Sequence, residues 1–413
     1  GIDRAIQLAP NLWAWGNNQY GQLGTGNYAV DILSPARAGT TTGWVAVDAG
    51  GTHSAGIKAD GTLWTWGWNL YGQLGNGNAS DTIFPLPSQV GTDRDWAHVS
   101  VGNGYTLALK TNGSMWAWGE NARGQLGTGT MANSSLPVNV SNGERWKSIA
   151  AGDQTSSAVT SWGGLFSWGS NGDPYLPSSG TQDLRDLLSA NAIGLGLDEY
   201  AVPIDPRAII PTPIAVQPSR RFRSVKRSTD AGGGHVVAQT EEGRLMMWSY
   251  PGYVFPGGFS DECFGLGTPR ELWFGVTPHE VSDVTNWTDY AVAPRTTLAI
   301  KGGTVFAWGT NAATFGDGST SKYCTPAPGP SGSDWTRVDV VQGHAAGLRS
   351  DGTLWTWGSN YSGQLGDGTT ADHLTPVEVG QGTRWLDISV GSSTFLGGFQ
   401  RTGSSTMAIE DPS

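Results

Sequence analysis

The chain reads as an all-β protein: a seven-bladed β-propeller of four-stranded antiparallel blades, closed by pairing its N-terminal and C-terminal segments in one blade. Three observations predict this. A phrase, L-W-x-W-G followed by G-Q-L-G, returns along the chain as DGTLWTWGSNYSGQLGDG (351–368), DGTLWTWGWNLYGQLGNG (60–77), LWAWGNNQYGQLGTG (12–26) and MWAWGENARGQLGTG (115–129). Its anchor tryptophan recurs seven times, at Trp15, Trp66, Trp118, Trp168, Trp248, Trp308 and Trp357, at spacings of 51, 52, 50, 80, 60 and 49. The chain also opens on the second half of a unit and ends on a first half, Trp385 to Gln400, so joining the ends completes one unit. A fixed period of that length marks a stacked repeat architecture, and an open array would carry polar capping units at its ends.

Each unit contains the same short elements. About 20 residues before each anchor stands another aromatic, namely Trp44, Trp96, Trp146, Phe222, Trp287, Trp335 and Trp385, followed by an apolar run. The segments AGIK and LWTWG suit a pleated surface, and the Asp-Gly or Asn-Gly between them supplies the positive φ values of a tight hairpin. In L-W-x-W-G the two tryptophans share one face, and Leu, the small residue and Gly share the other. Both faces are apolar, as sheets stacked between two neighbours require. A Pro and usually a Val follow each Gly-rich turn, from Pro35 through Pro376 and Val379. A sheet of about 50 residues cannot bury both faces alone, and a radial ring of seven can.

Composition sets limits on function. Charged residues are 14% of the 413, while 62 Gly and 20 Trp give a chain rich in turns and large rings. The net charge of −11 argues against general nucleic-acid binding, which depends on neutralising phosphates with Lys and Arg. No apolar run approaches the roughly 18 residues of a membrane span. Low Lys with abundant Thr, Gly, Asn and Trp favours an extracellular, cell-surface or virion setting over a nuclear or cytoplasmic one.

The whole chain, 1–413, is read as a single propeller domain with two insertions and a tail. The fourth unit carries an insertion at 172–218, where TQDLRDLLSANAIGLG suggests a short helix, and the fifth carries one at 249–281. Both follow the W-G strand, so both are expected on one face and side by side. Residues 401–413 are expected to form a C-terminal tail.

Candidate sites lie mainly where the repeat fails. Seventeen of the 20 tryptophans occupy repeat positions and need only packing, leaving Trp68, Trp162 and Trp273 freer. Trp273, with Tyr253 and Phe255, falls in the second insertion and is the expected interface anchor, Trp being enriched among binding hot spots. Arg220, Arg221, Arg223, Lys226 and Arg227 form the one dense basic run; its first three members are candidates for a carboxylate-rich partner or a phosphate, against a solvated strand edge. Cys263 and Cys324, in the fifth and sixth units, are candidates for a disulfide between neighbouring blades, the alternative being two ordinary thiols. His53, His235 and His344 share a repeat position that Tyr105, Ser156 and Thr297 are taken to fill elsewhere, which reads as structural. His279-Glu280 begins a zinc-protease motif, but Asp283 stands where its second His is required. No nucleophile elbow, phosphate-binding Gly-Lys-Ser/Thr loop or dinucleotide fingerprint occurs. Neither a metal, a cofactor nor an enzymatic activity is expected.

The full pattern, W-x-x-V-x-A-G-x-x-H-S-x-A-L-K-x-D-G-T-L-W-x-W-G-x-N-x-x-G-Q-L-G, resembles the repeat of the regulator of chromosome condensation family. Residues 44–67 and 335–366 carry it most fully, and the likeness extends over roughly 350 of the 413 residues. It implies a seven-bladed propeller. It also brings forward guanine-nucleotide exchange on a small nuclear GTPase, although the wedge and acidic contacts of that activity find no place here and no basic nuclear tail is present. The expectation is therefore a non-catalytic binding or structural propeller that presents its insertions to a protein partner, as part of a virion or a cell surface. An exchange-factor-like regulator and a secreted enzyme inhibitor are the alternatives.

Overall fold

A computed structural model describes residues 9–141, 143–170, 209–216, 219–228, 235–249, 279–282, 284–294, 296–310, 312–392 and 404–412. The chain opens with β1 (Leu12–Gly16) and β2 (Ile32–Arg37). Blade two follows as β3 (Trp44–Ala49), β4 (His53–Lys58), β5 (Leu63–Trp68) and β6 (Ile83–Gln89). Blade three is β7 (Trp96–Val101), β8 (Tyr105–Lys110), β9 (Met115–Gly119) and β10 (Ser134–Asn139). Blade four is β11 (Trp146–Ala151), β12 (Thr155–Thr160), β13 (Leu165–Ser170) and β14 (Ile209–Val216). Blade five comprises β15 (Phe222–Arg227), β16 (His235–Thr240), β17 (Leu245–Ser249) and β18 (His279–Glu280), and blade six β19 (Asp289–Ala293), β20 (Thr296–Lys301), β21 (Thr304–Gly309) and β22 (Tyr323–Pro328). Blade seven is β23 (Trp335–Val340), β24 (His344–Arg349), β25 (Leu354–Gly358) and β26 (His373–Val379), before β27 (Trp385–Ser392) and β28 (Ser404–Glu410) end the chain.

Every sheet is four-stranded and antiparallel, and blade one is assembled from both termini in the order β2-β1-β28-β27. The ring is thus closed by backbone hydrogen bonds between Leu12–Gly16 and Ser405–Ile409. This corrects the expected tail at 401–413. Residues 404–410 are a buried strand because β1 and β27 would otherwise each leave an unpaired ladder inside the closing sheet. The insertion boundaries tighten for a similar reason: Ile209–Val216 and His279–Glu280 are the outermost strands of blades four and five.

The first strand of every blade lines a central cavity of about 260 Å³ on the propeller axis. All first strands run the same way, so the turn after them and the long loop after the third strand lie on one face, here the loop face. The hairpin between second and third strands and the connection to the next blade lie on the opposite, turn face. The outermost strands have a free edge, and Pro35, Pro85, Pro87, Pro137, Pro211, Pro213, Pro326, Pro328 and Pro376 lie on them. Proline lacks an N–H, so this recurrent residue blunts an edge that could otherwise recruit another strand.

The core is a belt of tryptophan between blades. All seven anchor indoles are fully buried. In six blades the anchor meets the Trp at, or in blade six two residues before, the start of the first strand of its own sheet, at 5.8–6.4 Å, tilted or edge-on. Two glycines of the repeated phrase have definite reasons. Gly67, after the anchor, has φ +109°, and a Cβ there would meet the Thr52 carbonyl oxygen at 2.6 Å. The last Gly of G-Q-L-G, at Gly75, would drive a Cβ to 2.8 Å from the Trp118 indole nitrogen of the next blade. Among the described residues no helix is long and apolar enough to cross a membrane.

Candidate protein-binding surfaces

The loop phrase fastens one blade to the next. Buried Asn69 accepts from Leu74 N–H at 3.1 Å and donates to Asn76 Oδ1 and the Asn78 carbonyl, holding the loop closed; Asn18, Asn121 and Asn360 act alike. The closed loop aims the Gln carbonyl at the following blade. Gln22 O accepts the indole N–H of Trp66 (2.7 Å), Gln73 O that of Trp118 (2.8 Å), Gln125 O that of Trp168 (2.8 Å) and Gln364 O that of Trp15 (3.0 Å). Blade six lacks G-Q-L-G, yet Thr314 O takes the Trp357 N–H at 2.8 Å. The anchors facing the loops of blades four and five are Trp248 and Trp308, and their indole nitrogens have no hydrogen-bond partner among the described residues. The two insertions therefore stand where this fastening is not made among the described residues.

A second ring of bonds surrounds the axis, one at each blade junction. Ser389 Oγ accepts from Ala49 N–H, Asp48 from Val101 N–H, Ser100 from Ala151 N–H and Ser148 from Val225 N–H. Ser224 Oγ bonds Tyr290 Oη, Asp289 accepts from Val338 N–H, and Asp339 accepts from Val390 N–H, returning to blade one. Around this ring Lys226 pairs with Asp289 at 3.2 Å and Arg337 with Asp387 at 2.5 Å. Among the described residues no cation pairs with Asp48. Burial, reinforced by the Asp339 charge, pushes its carboxyl up to about 7, against the pull of the Val101 hydrogen bond. The axis is thus a neutralised, cross-bonded wall, chemically suited to holding seven sheets together.

The recurrent histidine is structural, as its pattern suggests. His53 Nε2 lies 2.9 Å from Thr106 Oγ1, which donates onward to Gln73 O; His344 meets Thr406 and Gln364 O in the same way. The threonine proton is spent on the carbonyl, so the imidazole donates from Nε2 and is neutral. Its Nδ1 is buried without a partner, and burial lowers both imidazoles to about 3. Strand pairing refines the equivalences: His53 stands opposite Gly67, and the residues opposite the matching Gly169 and Gly309 are Thr155 and Thr296 rather than Ser156 and Thr297.

Across residues 11–396 the chain matches the RCC1-like domain model. It belongs to the RCC1-like domain family. In its sequence the RCC1-like chain is 35% identical over 127 residues to the ultraviolet-B receptor UVR8 of Arabidopsis thaliana, covering 30% of this chain and 29% of the receptor. It is 42% identical over 91 residues to the X-linked retinitis pigmentosa GTPase regulator homolog of Caenorhabditis elegans, covering 22% and 7%, and 33% identical over 134 residues to the E3 ubiquitin-protein ligase HERC2 of Homo sapiens, covering 30% and 3%. The matches thus span less than a third of each relative's length. Among solved structures, human WBSCR16 superposes with TM-score 0.73 at 19% identity, covering 97% of this chain and 99% of that one. Yeast RCC1 (Prp20), crystallised bound to Kap60, gives 0.73 at 15%, covering 98% and 89%. At these identities the likeness is one of fold.

On the RCC1-like scaffold the sequence candidates separate. Trp273, Tyr253, Phe255 and Cys263 lie outside the described residues. Cys324 stands on β22 and is not a free thiol. Both insertions leave and re-enter at the loop face, between Ser170 and Ile209 and between Ser249 and His279, in consecutive blades. Arg220, Arg221 and Arg223 follow the first insertion in sequence, but the length of β14 carries them to the turn face. Lys226 and Arg227 belong to the axial wall instead, Arg227 being buried with Nη1 2.7 Å from Ser157 Oγ. Sequence reasoning set Trp68 apart but missed the loop-face cluster around it: Tyr20 lies 5.2 Å from Trp68, Trp68 meets Tyr71 edge-on at 6.1 Å, and Trp68 Nε1 donates to Asp81 at 2.6 Å. Glu120 stands nearby, its carboxyl raised to about 7 by burial and by the Asp153 charge. The signal was the aromatic in N-x-Y-G-Q-L-G, which the repeat made look generic.

Proposed function

We propose that this RCC1-like propeller is a non-catalytic protein-binding module whose partner docks on the loop face of blades four and five, through the insertions at 171–208 and 250–278. The observation that supports it is the coincidence of two losses. The same two blades lack the G-Q-L-G whose Gln carbonyl fastens the next anchor, Trp248 and Trp308 have no such bond among the described residues, and both blades carry the long excursions from the repeat. A regular scaffold spends its variation where recognition occurs. An extracellular, cell-surface or particle setting, favoured by composition, belongs to this reading, and a protein partner is its only ligand.

Replacing residues 173–206 with a short Gly/Ser bridge tests it, since this excision spares β13 and β14. The expected result is a cooperatively folded propeller that no longer retains its partner. Retention of the partner at unchanged affinity would contradict the reading. Acceleration of nucleotide exchange on a small GTPase at catalytic ratios would replace it by the exchange-factor alternative.

A further inference from the structure

We infer that the turn face carries a second docking site, for an acidic peptide segment of a protein partner, centred on Arg221 and Trp162. The hairpin between β12 and β13 holds Trp162 where blades two, three and seven have Asp60, Asn112 and Asp351. Its ring folds over Gly164 and packs edge-on against Phe166 at 6.2 Å, and Nε1 donates to Glu144 Oε2 at 3.0 Å. An indole with both ends fixed would ordinarily be buried; this one is 46% exposed. The Arg221 guanidinium lies 4.7 Å from the ring centroid.

Arg221 differs from the other cations around it. Arg220 and Arg244 both grip Glu280, at 2.8 and 2.6 Å, Arg223 donates to the Glu241 carbonyl and Lys147 pairs with Glu241. The Arg221 side chain makes a stacking contact but no hydrogen bond among the described residues, so its five N–H donors are oriented and unspent. Beside it opens a cavity of about 390 Å³ lined by Ser219, Arg220, Arg221, Glu242, Arg244 and Glu280. Three guanidiniums face two carboxylates there, an excess of positive charge on a chain of net charge −11. Among the described residues, the loop face holds Arg123 and Lys322 as its Lys and Arg, whereas cations crowd the turn face. A planar, pre-stacked guanidinium matches a carboxylate bidentately, and the Trp–Arg pair has the composition of a binding hot spot. This site is on the face opposite the insertions, so it goes beyond the loop-face reading.

Calorimetric titration of the full chain with a hexaglutamate peptide, and with hexaglutamine as control, tests the inference. Hexaglutamate should bind saturably and hexaglutamine should not. Arg221→Ala and Trp162→Ala should each weaken binding about tenfold, equivalent to about 1.4 kcal/mol, Arg221→Lys should weaken it less, and Arg94→Ala, which removes a distant turn-face cation, should not change it. Equal binding of the two peptides, unchanged affinity in Arg221→Ala, or displacement by inorganic phosphate at equimolar concentration would overturn it. The propeller with 173–206 excised should still bind hexaglutamate, so failure here and failure of the loop-face reading give different results. Thermal melting of each variant shows that the propeller is folded.

Discussion

The indole N–H of Trp66 in blade two bonds the carbonyl of Gln22 in blade one at 2.7 Å, and the Gln22 carbonyl also accepts Ser54 Oγ at 2.9 Å. One backbone oxygen from a surface loop thus holds two buried donors of the next sheet. Trp248, in blade five, occupies the equivalent place without that bond, and Val236 stands where Ser54 would be.

The comparison gives a direct measure of the fastening. Trp66→Phe and Trp248→Phe remove similar ring volume, but only the first removes a made hydrogen bond and leaves a buried acceptor half-satisfied. Trp66→Phe should be the more destabilising by about 1 kcal/mol in urea unfolding. Equal losses would mean that the indole bond adds nothing to the seam.

The pH dependence has two opposing parts. His53 and His344 have folded-state values depressed to about 3 from 6.5, so the unfolded chain gains protons first and stability is lost as pH falls below 6.5. At pH 5 each should cost about 2 kcal/mol relative to pH 7. Asp48 has the opposite sign: its folded value is raised to about 7 from 3.8, so its contribution is full at low pH and is lost as pH rises through 7. Accordingly His53→Gln should flatten the acid limb of the stability profile, and Asp48→Asn should remove a loss that accrues between pH 3.8 and about 7, raising stability most at pH 7 and above and less at pH 5. Denaturant midpoints at pH 5, 6, 7 and 8 check both.

Removing residues 404–413 should abolish cooperative folding rather than trim a tail. β28 is the second strand of the closing blade, and Met407, Ala408 and Ile409 are fully buried between β1 and β27. Loss of near-ultraviolet circular dichroism, or of soluble expression, is the expected result; a truncated chain with the parent's melting transition would show that the ring closes without it.

A disulfide joining Cys263 to Cys324 remains part of the account as a proposal, consistent with Cys324 not being a free thiol. Thiol titration of the denatured, unreduced chain should find no reactive thiol, and two would remove the pair.

Much of this fold was legible because its packing is written in large, repeated residues. Six of the seven anchor Trp residues are followed by a Gly at positive φ, Trp248 with Ser249 being the exception, and each anchor marks the third strand of a blade. The closing strand was not legible. SSTMAIE has none of the repeat's aromatics, and the sequence from 393 to 403 separates it from β27, whereas three residues separate β3 from β4. Its Thr406 reads as a loop residue until the fold brings Gln364 O within 2.9 Å. The axial ring was equally hidden, since Asp and Ser share its role from two positions of the first strand and Tyr290 joins from a third. The basic run could be seen, but its division between turn face and axis depends on where β15 begins.

Cross-linking mass spectrometry on a complex captured with the intact chain tests the central claim most directly. The account predicts that cross-links from the partner concentrate on residues 171–208 and 250–278 and on the adjoining loop face. Cross-links absent from both insertions, with the partner seated on the outer strands or wholly on the turn face, would contradict it.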